Sequence, residues 1–113
     1  MKVIKVVLSQ DALDVYEYLK INSSKNNNIL SKSIDAKISL LRVNPQLGNP
    51  ISKNMIPIEY INKYNINNLY RLELSLFWRM IYTLRAGEER REIIIFLISI
   101  IDHKKYNKVF KYK

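Results

Sequence analysis

Two arginines, Arg71 and Arg79, and a polar tail group of His103, Lys104, Lys105 and Tyr106 are the side chains of this sequence best suited to chemistry. Arginine presents a rigid fork of donors that matches a phosphate bidentately. Histidine is the side chain whose ordinary titration lies nearest neutrality, and a tyrosine hydroxyl among lysines is acidified, so both can move a proton. Glu73 is a third proton-transfer candidate, a base held by Arg71, although a carboxylate two residues from an arginine is equally explained as a salt bridge. Arg79 by itself also reads as an ordinary edge residue, and a lone histidine is more often structural than catalytic. What lifts these residues above that background is where the chain delivers them.

In YRLEL, alternation puts Arg71 and Glu73 on one face of a strand and Tyr70, Leu72 and Leu74 on the other. FWRMIYTL repeats the pattern, with Arg79, Ile81 and Thr83 opposite to Trp78, Met80 and Tyr82. The two arginines therefore fall on neighbouring antiparallel strands, close to one hairpin. AGEE then turns the chain into Ile93 to Ile101, a largely apolar run suited to a strand flanked on both sides. It ends directly on His103, Lys104, Lys105 and Tyr106, and the tail from His103 reads as a short helix. A buried strand is the stiffest place from which to project a cationic, proton-transferring cluster.

The N-terminal half supplies the scaffold. Lys2 to Leu8 reads as a strand and Ser9 as a helix cap. ALDVYEYLKI follows with the stripe of an amphipathic helix, Leu13, Tyr16 and Leu19 or Lys20. INSSKNNN reads as the turn that ends it. Leu30, Ile34, Ile38 and Leu41 mark a second helix, terminated by NPQLGNP, so the two form an antiparallel hairpin. Residues 51 to 68 lack a clean period and read as a long, partly ordered loop with a helical turn from Pro57 to Lys63. Lys53 and Lys63 on that loop are candidates to touch an anionic partner. The order is strand, two-helix hairpin, loop, three strands and a short C-terminal helix: one α+β domain over 1 to 113, with helices lying on one face of a largely antiparallel sheet.

Nineteen basic residues against ten acidic ones leave a net charge of +9, which favours an anionic partner through counterion release. Residues 102 to 113 carry five lysines and one aspartate, so the tail holds about four of those nine charges, with Lys105 and Lys108 expected to contact the anion. The absence of cysteine excludes a disulfide framework, a zinc-thiolate site and thiol catalysis, and one histidine makes a histidine metal site a poor expectation. No cofactor, metal or membrane contact is expected: the longest apolar run is about half of the ~20 residues a membrane-spanning helix needs. The N-terminal KVIKVVL does not read as a signal peptide, and a cytoplasmic setting is expected.

The stretches NLYRLELSLFWRMIYTL and IIIFLISIIDHKKYNKVF resemble the RelE/ParE superfamily of type II toxins. The likeness is densest from Leu69 to Phe110. Upstream, only the order of strand and helix pair agrees. RelE-like members are ribosome-dependent mRNA endonucleases (mRNA interferases), so the resemblance implies an RNA-binding endoribonuclease whose partners are mRNA, the ribosome and a neutralising acidic antitoxin. It also implies roles. Arg79, in WRMIY, matches the arginine of the family's YRLVY-type strand, which contacts the scissile phosphate. Arg71 falls where RelE-type members have a basic residue, and Lys104 or Lys105 matches the basic residue after the last strand. Glu73 departs from the pattern, lying where a second lysine is common. The family's terminal tyrosine aligns with Phe110, which has no hydroxyl, but DHKKYNK is similar to the His-x-x-Tyr tail of HigB-type members, which puts Tyr106 in that role.

In such an enzyme the nucleophile is the RNA's own 2′-hydroxyl, so the protein must orient the backbone, stabilise phosphorane charge and move two protons. His103 and Tyr106 are the expected proton carriers, ahead of Glu73. Two alternatives stand beside this expectation: a ParE-like gyrase inhibitor, which needs no nuclease site, and a RelE-fold domain that binds RNA or protein without cutting.

Overall fold

The computed structural model of the chain describes residues 2–110. A first strand, β1 (Val3–Leu8), leads into α1 (Gln10–Ile21) and α2 (Lys25–Val43). A two-residue strand, β2 (Asn49–Pro50), a 3-10 turn at Lys53–Met55 and a short helix, α3 (Ile58–Tyr64), follow. Then come β3 (Tyr70–Glu73), a 3-10 turn at Ser75–Phe77, β4 (Arg79–Ala86), β5 (Glu92–Ile101) and α4 (His103–Phe110). The sheet order is β1-β5-β4-β3-β2, with β1 parallel to β5 and every other pairing antiparallel. No helix among the described residues is long and apolar enough to cross a membrane.

Local signals explain the element boundaries. Ser9 caps α1 by accepting from the Ala12 amide, and Ser24 caps α2 by accepting from the Asn27 amide. The second cap is why the expected turn INSSKNNN is shorter than its composition implies: Asn26, Asn27 and Asn28 already lie in α2. The segment 51 to 68 is likewise more ordered than a loop. α3 begins one residue after the expected helical turn and ends at Asn65, which adopts the left-handed conformation (φ 52) of a C-terminal cap.

Both faces of the sheet are covered, where the sequence pattern had placed helices on one. Leu72, Met80, Tyr82, Ile95 and Leu97 pack against α1 and α2 through Ala12, Leu19, Leu30, Ile34 and Leu41. On the other face Ile81, Ile98 and Ile101 pack with Ile56, Ile66 and Leu69 and with Tyr106 and Phe110 of α4. The reason is in the strands: β5 is apolar on both sides and β4 adds Ile81 to the second face, and each fully buried isoleucine contributes roughly 1.5–3 kcal/mol once water is excluded. α3 and α4 therefore close a second core.

One irregularity sets the phase of β5. Ile81 pairs with Ser99 but Tyr82 pairs with Leu97, leaving Ile98 as the extra residue of a β-bulge. The bulge carbonyl of Ile98 accepts the Ser9 hydroxyl at 2.6 Å, so the cap of α1 also satisfies a buried group of the sheet. Beyond the bulge, Ile101 comes opposite Arg79, and the chain leaves the sheet beside that arginine.

Candidate active site

The site lies on the α4 face of the sheet, where β3, β4 and the start of α4 meet. Arg71 and Glu73 point to that face from β3, and the register sets Glu73 directly across from Arg79 and Arg71 across from Ile81. Glu73 bridges the arginines: Oε1 is 3.3 Å from Arg71 Nε and Oε2 is 3.3 Å from Arg79 Nε. Both contacts are ion pairs. The Arg79 side chain is 15% exposed, whereas Glu73 is 54% exposed. Two cationic forks thus converge on one carboxylate at the protein surface.

α4 supplies the other wall. Asp102 caps it, its carboxylate accepting from the Lys105 amide at 2.8 Å, so the helix starts immediately where β5 stops. That start sets the phase of every side chain that follows. His103 comes beside Arg79, with Nη1 3.2 Å from the imidazole Nδ1. A guanidinium only donates, so Nδ1 accepts and the ring proton resides on Nε2. Asn107 Nδ2 stands 3.2 Å from Nε2, and turning the amide to present its oxygen would let it accept that proton. Tyr106 is buried, its hydroxyl accepting from Arg71 Nη1 at 3.0 Å and its ring lying 4.6 Å from the Arg79 guanidinium carbon. The cations set against this tyrosine are the two arginines, where the sequence had pointed to lysines. Phe110 stacks on Tyr106 at 4.6 Å and is itself core.

Arg71, Arg79, His103 and Tyr106, drawn from three elements, are therefore brought together. Lys104 is not brought with them. One residue further round the helix than His103, it turns away from the arginines and lines an open surface cavity with Glu59, Asp102, Lys105, Lys108 and Val109. Lys53 is exposed on the 3-10 turn after β2. The sequence reading missed Asn107, whose i+4 spacing from His103 was the available signal. It also missed Phe77, whose carbonyl accepts from Arg79 Nη1 at 3.2 Å.

Two further groups position β3. Tyr82 donates to the Pro45 carbonyl at 2.8 Å and accepts from the Gly48 amide at 2.9 Å. Burial pushes its phenol up to about 12, partly offset by that amide hydrogen bond. Gly48 is required there because a β-carbon would stand 2.9 Å from both the Arg71 carbonyl and the Tyr82 ring. No cluster of three or more histidine, aspartate or glutamate side chains among the described residues could hold a metal ion.

Two solved structures share this arrangement of elements. The YoeB dimer from Staphylococcus aureus superposes with a TM-score of 0.54 at 20% identity, over 88% of this chain and 97% of that one. A YoeB/ParE toxin from Agrobacterium tumefaciens gives a TM-score of 0.57 at 18% identity, over 88% and 98%. The chain has the RelE/ParE toxin fold. The N-terminal strand, helix pair, mostly antiparallel sheet and short C-terminal helix all belong to it. No family model and no curated protein matches the chain.

Proposed function

We propose that the chain is the toxin of a type II toxin-antitoxin pair and an endoribonuclease acting on mRNA at the ribosome, in the cytoplasm. The observation that carries this reading is the convergence of Arg71 and Arg79 on one surface carboxylate with His103 in contact with Arg79. A phosphodiester is also an anion with two accessible oxygens, and it fits the same pair of forks.

The chemistry follows from those groups. The RNA 2′-hydroxyl gives up its proton to solvent water and attacks the adjacent phosphorus, the bond to the 5′-oxygen breaks, and a cyclic phosphate and a free 5′-hydroxyl result. Arg79 and Arg71 hold the phosphate and stabilise the charge of the phosphorane. His103 is placed to give a proton to the leaving oxygen. Protonation at Nδ1 sets two donors face to face with Arg79, and a phosphate oxygen between them accepts from both. Tyr106, being buried, positions Arg71 and backs Arg79. Lys53, Lys104, Lys105 and Lys108 add sequence-independent attraction to the RNA backbone. An acidic antitoxin would cover the same basic face.

The bridging position of Glu73 favours a second reading, a RelE-fold domain that binds without cutting, because a carboxylate already sits between the two forks. Primer extension on a defined mRNA with translating ribosomes tests both readings, with an Arg79→Ala control and a ribosome-free lane. New 5′ ends that disappear with Arg79→Ala support the nuclease. No new ends, under conditions where a RelE-type enzyme cuts, sinks it in favour of the binding domain or a gyrase inhibitor.

A further inference from the structure

We propose that Phe77 is a stacking platform for an unpaired nucleobase, set beside the Arg79 grip on the neighbouring phosphate. The inference rests on the RNA-binding reading above and adds a subsite to it. Phe77 stands at the tip of the β3–β4 hairpin, 78% exposed, whereas the aromatic rings of Tyr106 and Phe110 in the same region are buried.

The backbone that presents this ring is unusual. Leu76 (φ 61) and Phe77 (φ 62) are consecutive non-glycine residues in the left-handed region. Glycine or asparagine would adopt that conformation with little strain, but a leucine and a phenylalanine occupy it. Such strain persists where the surroundings over-determine it. Here the Leu74 amide bonds to the Trp78 carbonyl at 2.8 Å, the Trp78 amide to the Ser75 carbonyl at 3.3 Å and the Ser75 amide to the Ser33 hydroxyl of α2 at 3.0 Å. The last restraint is Arg79 itself, donating to the Phe77 carbonyl. The site arginine thus fixes the turn that displays the ring, its guanidinium held on the carbonyl of the residue that carries it.

The occupant follows from size and charge. Phe77 and the 42% exposed Leu76 make a patch of two side chains, far below the roughly 800 Å² per partner of a stable protein interface. One aromatic ring matches one base, and the cation beside it matches that nucleotide's phosphate. Stacking of splayed bases on aromatic side chains is how single strands are held on basic surfaces.

The test is the affinity of a short 2′-O-methylated oligoribonucleotide, which cannot be cleaved, against an abasic phosphodiester chain of equal length. Phe77→Ala is expected to weaken the base-bearing strand about 5- to 100-fold while leaving the abasic chain within about 2-fold, and Phe77→Trp to retain tight binding. Arg79→Ala is expected to weaken both. Binding that depends on Arg79 but is indifferent to Phe77, or that falls equally for both chains in Phe77→Ala, overturns the subsite alone. If neither chain binds the unaltered protein, the subsite falls together with the RNA-cleaving reading. Unchanged oligonucleotide binding with weakened antitoxin binding in Phe77→Ala would make the ring a protein contact and overturn the proposal.

Discussion

Arg79 on β4 and Glu73 on β3 face each other directly across the antiparallel register, with Nε and Oε2 3.3 Å apart. The other carboxylate oxygen is as far from Arg71. Glu73 is thus the orienting partner of the two forks and, under the proposed function, an occupant of the seat that a phosphate oxygen would take.

Replacing this carboxylate separates those roles. Glu73→Gln is expected to tighten oligonucleotide binding about 2- to 5-fold, the scale of one exposed charge pair, and to cost less than about 1 kcal/mol of stability. Binding titrations at several salt concentrations and a urea melt measure both. A loss of cleavage of about 100-fold or more with unchanged binding would instead make Glu73 the proton-transferring base.

Tyr106 separates into ring and hydroxyl. Tyr106→Phe keeps the ring under Arg79 but removes the acceptor of Arg71 Nη1, so a stability loss of about 1–2 kcal/mol is expected, with weakened phosphate binding. Tyr106→Ala also empties a core site shared with Phe110 and Ile101 and is expected to cost about 3–5 kcal/mol. Denaturant melts of the two variants give the difference. Equal losses would show that the ring contributes nothing beyond its hydroxyl.

Strict alternation in YRLEL and FWRMIYT made the face shared by Arg71, Glu73 and Arg79 legible without coordinates. The same rule is silent in IIIFLISII, where apolar residues fill both faces, so the bulge at Ile98 had no sequence mark. The bulge sets which residue of β5 meets Arg79. The separation of Lys104 from the arginines has a related origin: a basic run looks like one cluster in sequence, but the Asp102 cap fixes the helix phase and sends His103 and Lys104 to different sides. The turn at Leu76 and Phe77 carries no glycine or asparagine to announce its left-handed backbone. Cover on the second sheet face was implicit in the apolar strands, but nothing in the irregular segment 51 to 68 identified it as that cover.

Gly48→Ala tests whether the short β2 segment positions the site. The added β-carbon meets the Arg71 carbonyl, which cannot yield without moving β3, and the buried Tyr82 ring. A stability loss of about 1–3 kcal/mol is expected, together with reduced phosphate affinity. Wild-type melting and affinity would show that the contact is relieved without moving Arg71.

Tyr82 predicts a pH dependence. In the unfolded chain its phenol ionises near 10, and in the fold it stays protonated to about 12. Between those values only the unfolded state loses the proton, so stability falls as pH rises through the window, by at most about 2–3 kcal/mol. Tyr16 and Tyr60, also raised, add in the same direction. Comparing urea melts at pH 9 to 12 for the unaltered protein and Tyr82→Phe isolates this residue. The variant is expected to start about 1–2 kcal/mol lower from the lost hydrogen bonds, and to decline less steeply. Parallel curves would refute the assignment.

The strained hairpin tip predicts a trade between stability and binding. Each left-handed non-glycine residue costs about 1–2 kcal/mol, and glycine removes most of that while adding back chain entropy in the unfolded state. Leu76 and Phe77 are exposed, so little packing is lost when they are replaced. Leu76→Gly and Phe77→Gly are each expected to raise stability by up to about 1 kcal/mol, read as an increase in urea midpoint at unchanged slope. If the ring holds a base, Phe77→Gly gains stability and loses oligonucleotide affinity, whereas Leu76→Gly gains stability and keeps it. A drop in stability for both variants would mean that the side chains anchor the turn, and the strain account would fail.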